Sequence, residues 1–208
     1  MATSSHSVVP VMKYPLRILY LACLIVGSPM RASAAVEVYD FDPVHTWIGF
    51  NVRHFFTKVP GSFTKVKGSI VVDRDNLENS TVETVIEVSS IDTRVKMRDD
   101  DLRTRFFAAD KFPVITFKSK AWKKTGDDTY DVAGDLQIKN VTKEVVLKVK
   151  SLGFGPGMKG APISGWEATT SLDRRDFDVA ADQDSVATHV DIVIDVEADL
   201  RKPAPEKK

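Results

Sequence analysis

Thr46-Trp47-Ile48-Gly49-Phe50-Asn51-Val52-Arg53-His54 alternates: Ile48, Phe50 and Val52 fall on one parity, Trp47, Gly49, Asn51 and Arg53 on the other. A period of two marks a strand with one apolar face. The same rhythm recurs at 65–72, 82–88, 115–120, 130–138, 145–150, 166–172 and 190–199. That makes about eight strands. Asp73-Arg74-Asp75-Asn76, Thr125-Gly126-Asp127-Asp128 and Lys139-Asn140-Val141-Thr142 are turn-forming stretches short enough for hairpins. Consecutive hairpins imply antiparallel pairing, one face buried and one wet. Eight such strands close as a sandwich or as a barrel. Long strands in sequential order favour an eight-stranded, all-β, up-and-down barrel, although periodicity alone admits both. A barrel of that size holds one small ligand.

Two stretches break the rhythm. Between Ile91 and Phe112, Asp92 or Thr93 is expected to cap a short helix reaching about Arg103. Val95, Leu102, Phe106 and Phe107 give this insertion an apolar side. It either closes one mouth of the barrel or completes the core as a crossover. Asp99, Asp100 and Asp101 beside Arg98 and Arg103 read as a solvated helix face. Gly153 to Gly160, with four glycines and a proline, reads as a mobile loop. Residues 201–208 form a charged tail expected to be disordered.

The amino-terminal segment carries Lys13 and Arg17, then an apolar run from Ile18 to Val26, then Ala32-Ser33-Ala34. This is the order of a secretory signal peptide, with cleavage expected after Ala34. The run is too short to span a bilayer, which takes roughly 20 residues. Met1 or Met12 is the start. Residues 35–200 are expected to form one domain. The signal holds three of the 29 basic residues and none of the 29 acidic ones. The remaining chain therefore carries 26 basic against 29 acidic side chains, a net charge of −3. That balance excludes an electrostatic case for nucleic acid. Cys23, the single cysteine, lies within the signal, so the exported chain has no disulfide and no thiolate.

Chemistry is scarce. His45, His54 and His189 have no metal-site spacing, and no HExxH or glycine-x-serine-x-glycine element occurs. No metal, cofactor or catalytic residue is expected.

Four blocks in order resemble the YceI-like family of exported lipid-binding proteins. The first joins Asp42-Pro43, His45-Thr46, Ile48-x-Phe50-x-Val52-x-His54 and Val59-Pro60-Gly61-Ser62-Phe63. The second joins Ser90-Ile91-Asp92-Thr93, Arg98-Asp99, Asp101-Leu102, Phe106-Phe107 and Phe112-Pro113-x-Ile115-Thr116-Phe117. The third is Val132-x-Gly134-Asp135-Leu136-x-Ile138 with Val141-Thr142-Lys143. The fourth is Gly165-Trp166 with Ser171-Leu172-Asp173-Arg174-Arg175-Asp176-Phe177. The chain departs from the family pattern at Asp101, where a histidine is usual, and near Asn140 and at Asp178, where glycine is usual.

The resemblance implies a lipocalin-like barrel with an elongated apolar interior and a polyisoprenoid, isoprenoid quinone or other long-chain lipid as ligand. With the signal, it implies a periplasmic protein. The expected inward row is Phe50, Val52, Ile70, Ile86, Phe117, Leu136, Ile138, Leu147, Trp166 and Ile192, joined by Phe106 and Phe107 from the insertion. The bland alternative is that these residues fill a solid core. His54 continues the apolar parity to a strand end, where it either meets a ligand headgroup or is satisfied by backbone or water. Expected partners are the lipid, transiently a membrane or membrane protein, and a second copy as a homodimer. Three functions stand: an envelope lipid carrier or reservoir, a non-enzymatic accessory docking to a membrane quinone or cytochrome system, and an enzyme acting on a lipid.

Overall fold

The computed structural model describes Met1 and residues 36–202. Residues 2–35 and 203–208, with the expected signal segment and most of the expected tail, lie outside the described residues. The strands are β1 (Glu37–Phe41), β2 (Trp47–His54), β3 (Thr57–Phe63), β4 (Val66–Val72), β5 (Thr81–Glu87), β6 (Ile91–Asp92), β7 (Val114–Lys124), β8 (Thr129–Ile138), β9 (Val141–Pro156), β10 (Pro162–Asp173) and β11 (Val186–Leu200). One short α-helix, α1 (Lys96–Asp101), precedes β7.

Eleven segments make eight staves. β2 pairs with β3 and β1 with β4, so β1 and β2 are halves of one kinked stave, and β3 and β4 halves of the next. β5 and β6 form the third, against β4 and β3 respectively. β7 to β11 follow, each antiparallel to its predecessor. β11 returns to both β1 and β2. The ring closes, which rules out the sandwich and leaves only the two-residue β6 with a single partner among these staves.

The kinks have identifiable bonds. Between β3 and β4, Thr64 N–H donates to Ser90 O, and Lys65 N–H donates to the Ser90 hydroxyl. The third stave breaks at Val88–Ser90, where Ser90 Oγ in turn donates to Glu87 O. A single buried serine thus fastens two kinks together.

The insertion differs from its sequence reading. The N-cap of α1 is Val95, with no side-chain bond, rather than Asp92 or Thr93. From Leu102 to Phe106 the helix widens to π geometry, with Phe107 N–H reaching Leu102 O. Asp99 is buried rather than solvated. Its Oδ1 accepts from Thr93 N–H at 2.8 Å and from the Thr93 hydroxyl at 2.5 Å. Arg98 completes the knot by donating to Thr93 Oγ1 and O. Replacing Asp99 by Ala leaves the Thr93 donors buried and unpaired. A loss of about 1–3 kcal/mol in the urea-unfolding free energy is expected, and an unchanged midpoint would refute this role.

The glycine-rich stretch is mainly strand. β9 continues to Pro156, and a register shift opposite Gly165/Trp166 takes up Leu152, next to Gly153, whose φ is 121°. The bulge rotates Phe154 inward onto Tyr39 and Trp166, at ring-centroid distances of 5.7 and 5.5 Å. The two loop departures from the family pattern also have a backbone signature. Lys139 (φ 57°) and Asp178 (φ 56°) are left-handed, the region where glycine carries no Cβ penalty. Lys139 Nζ donates to Asp178 O at 2.7 Å, tying one strained turn to the other.

Candidate functional site

The inward parity of the staves does not meet in the middle. A cavity of about 230 Å³ runs inside the barrel. Its wall on β11 runs from Val186 to Val196, across an irregularity in register between Val186 and Val190. Its lining includes Phe106 and Phe107 from the insertion as well as Trp122 and Trp166. Of its lining residues only Thr84, Glu167, Thr170 and Arg174 are polar. Glu167 is exposed on the outward parity of β10. The Thr170 hydroxyl donates to Val146 O.

Twelve of the thirteen residues expected at the site line this hollow. Phe50 and Val52 come from β2, Ile70 from β4, Ile86 from β5 and Phe117 from β7. Leu136 and Ile138 come from β8, Leu147 from β9, Trp166 from β10 and Ile192 from β11. Phe106 and Phe107 come from the insertion, which therefore closes part of one end. His54 is not in the wall. It is exposed at the end of β2, its ring edge-on to Phe55 at 4.7 Å.

Sequence reasoning missed several wall residues, and the causes are visible. Phe41 and Phe63 lie in β1 and β3, segments too short or too glycine- and proline-rich to alternate clearly. Trp122 lies past a bulge between Ser119 and Ala121, which flips the parity of β7. A period-two count started at Ile115 places it outside; the structure buries it. Trp122 packs edge to face on Trp166 (5.7 Å) and tilted on Tyr130 (5.9 Å), closing the end opposite the insertion. Its Nε1–H finds no hydrogen-bond partner among the described residues, a measure of how apolar that end is.

Arg174 is the other missed residue. It is only 6% exposed, at the end of β10. Nε donates to Ala187 O, one terminal nitrogen to Val179 O and Ala181 O (2.7 Å each), and the other to Val186 O. Burial lowers its pKa, but a guanidinium remains charged in a protein. Its charge is met by carbonyl dipoles, with no carboxylate in salt-bridge contact among the described residues. These bonds fold the 179–187 segment over the barrel end, where Phe177 and Val179 pack with Phe106.

Asp173 caps the turn that begins with this arginine. Its carboxylate accepts from Arg175 N–H and from the Arg175 guanidinium, capping the turn Arg174–Phe177. The Arg175 hydrogen bonds hold its pKa down at about 2. An unfolded aspartate titrates near about 3.9. The contribution of this cap is therefore complete above about pH 4 and is lost as pH falls toward 2. A carbon-13 titration of the Asp173 carboxyl is expected to show a midpoint near 2; a midpoint near 4 would refute the cap.

Residues 39–198 match the YceI-like domain. The chain belongs to the YceI-like family. Protein YceI of Escherichia coli is 32% identical over 193 residues, 92% of this chain and 100% of that protein. The crystal structure of Burkholderia cenocepacia BcnA superposes with a TM-score of 0.69 at 24% identity, covering 76% of this chain and 99% of that one. A Saccharophagus degradans domain described as polyisoprenoid-binding and implicated in plant cell wall breakdown superposes with a TM-score of 0.62 at 13% identity, covering 80% and 100%. At these identities the two structures establish a shared fold.

Proposed function

We propose that this YceI-like chain binds a long-chain apolar ligand inside its barrel and serves as a carrier or reservoir in the cell envelope, without catalysis. The observation that carries the reading is the hollow itself. At about 24 cal/mol per Å³, an unfilled cavity of about 230 Å³ costs about 5 kcal/mol. A domain's whole net stability is about 5–15 kcal/mol. Such a void is tolerable when a ligand fills it, and a nearly all-apolar wall selects an apolar one. Each buried methylene contributes about 0.8 kcal/mol, so a chain binds tightly without a charged anchor. The polyisoprenoid-binding description of the Saccharophagus domain agrees with a prenyl chain; isoprenoid quinones and fatty-acid-like lipids suit the same wall.

The wall carries no nucleophile beside a base. His45, His54 and His189 are all exposed and outside it. The signal-like segment supports export to the periplasm, with cleavage after Ala34. Loading also needs contact with a membrane. At the end where Val52 and Val186 reach the wall, the β2–β3 turn presents Phe55 (62% exposed) and Phe56 (92% exposed). Phe55 N–H donates to Ser185 O, and Arg53 donates to Phe56 O, so this tip is held rather than loose.

The test is native mass spectrometry of protein purified from cells, followed by organic extraction. One chain-bearing lipid per protein is the expected result. Protein that is lipid-free and takes up no prenyl or acyl chain when offered one in detergent would refute the proposal.

A further inference from the structure

The barrel closes between its first and last staves, and the closure is interrupted. The β1–β11 ladder ends at Phe41 opposite Ala198, and the β2–β11 ladder resumes at Trp47 opposite Asp195. Between them residues 42–46 turn outward. Asp42 N–H (2.9 Å) and the Thr46 hydroxyl (3.2 Å) both donate to Glu197 O, fixing this turn against β11. Asp42 Oδ1 accepts from Val44 N–H at 2.8 Å, which turns Oδ2 toward His45. His45 Nδ1 lies 2.5 Å from Asp42 Oδ2 and 3.7 Å from Glu197 Oε1. The three donor atoms all lie within 4.8 Å of one another.

We propose that Asp42, His45 and Glu197 bind a divalent transition-metal ion of the zinc class across this seam. With metal–ligand bonds of about 2.0–2.2 Å, a tetrahedral ion keeps neighbouring ligand atoms about 3.4 Å apart. The observed separations bracket that value, so small side-chain rotations admit the ion. One imidazole and two carboxylates match a borderline cation, with the fourth position left to water. Calcium and magnesium prefer six or more oxygens, which this cluster does not supply. Asp199, on the same strand, adds negative charge near the imidazole. The bonds from Asp42 N–H and the Thr46 hydroxyl to Glu197 O hold the two halves of the site together before any ion arrives. A bound ion spans the gap in the ladder and joins the chain's first stave to its last.

The test uses the untagged full chain stripped with EDTA, titrated calorimetrically with Zn2+ and with Mg2+ and then melted. Zn2+ is expected to bind with one-to-one stoichiometry. At a hundred-fold excess over its Kd it should raise Tm by about 5–10 °C, and Mg2+ should leave Tm unchanged. His45→Ala and Glu197→Gln are each expected to weaken zinc binding at least ten-fold and to abolish the shift. Both side chains are on the surface, so the metal-free melts of the variants serve as folding controls. Absence of Zn2+ binding overturns the proposal. So does binding that both variants retain, which places the ion elsewhere, or an equal response to Mg2+, which reduces the effect to carboxylate screening.

Discussion

Arg174→Met is expected to lower the urea-unfolding free energy by about 3–5 kcal/mol. The side chain donates to four backbone carbonyls, at Val179, Ala181, Val186 and Ala187. Hydrogen bonds from a charged donor are worth about 1.5–3 kcal/mol each, and an acceptor left buried without a partner costs about 1–3. Relief of the buried charge's desolvation offsets part of that sum. Methionine matches the aliphatic stem, so the loss reports the guanidinium and not a cavity. Arg174→Lys keeps the charge but presents one nitrogen with three donors, too few and too compact to span four carbonyls. It is expected to recover less than half of the loss. Hydrogen exchange should accelerate first in residues 179–187, while β9 and β10 stay protected. A wild-type urea midpoint in Arg174→Met, or exchange that rises uniformly over the barrel, would remove the residue from this role.

Ala168→Trp is expected to evict the ligand and leave the fold standing. Ala168 faces the hollow from β10, beside Ile194 and Val149 in register. An apolar cavity of roughly 150 Å³ accepts a benzene ring, so an indole takes most of one of about 230 Å³. Filling it recovers up to about 3 kcal/mol of the void's cost. Imperfect fit takes back about 1–3 kcal/mol. The two nearly cancel, and Tm should stay close to that of the lipid-free parent. Binding has no such compensation. Excluding even five methylenes, at about 0.8 kcal/mol each, removes about 4 kcal/mol, or about a thousand-fold in Kd. Lipid per protein after purification, measured by mass spectrometry, should fall from near one to near zero. A variant that folds and still carries a full complement of lipid would falsify the assignment of this hollow as the binding site.

Much of the fold is legible along the chain because a strand's period is a local property. Ile48, Phe50 and Val52 declare their face without reference to any other residue, and the same holds at Leu136 and Ile138. The wall residues that escaped are those where a local device reset the count. Trp122 follows a bulge, Phe41 and Phe63 sit beside kinks, and Phe154 follows the left-handed Gly153. His54 kept its parity and still ended outside: it stands exposed at the last position of β2, its ring against Phe55, while its register partner Val186 lines the wall. Asp99 looked like surface charge because its partner, Thr93, is recognisable only once the helix has turned back over it.

The sequence by itself determined eight staves, their antiparallel order, the inward face of most of them and membership of the YceI-like family. Only the tertiary structure decided that the ring closes and that its interior is left partly empty. A void is the difference between the space enclosed by all the staves and the summed volume of their side chains, and no local pattern records that difference. The same holds for Arg174 and for the Asp42–His45–Glu197 cluster. Their partners are brought together by the curvature of the closed barrel, which is a property of the whole chain at once.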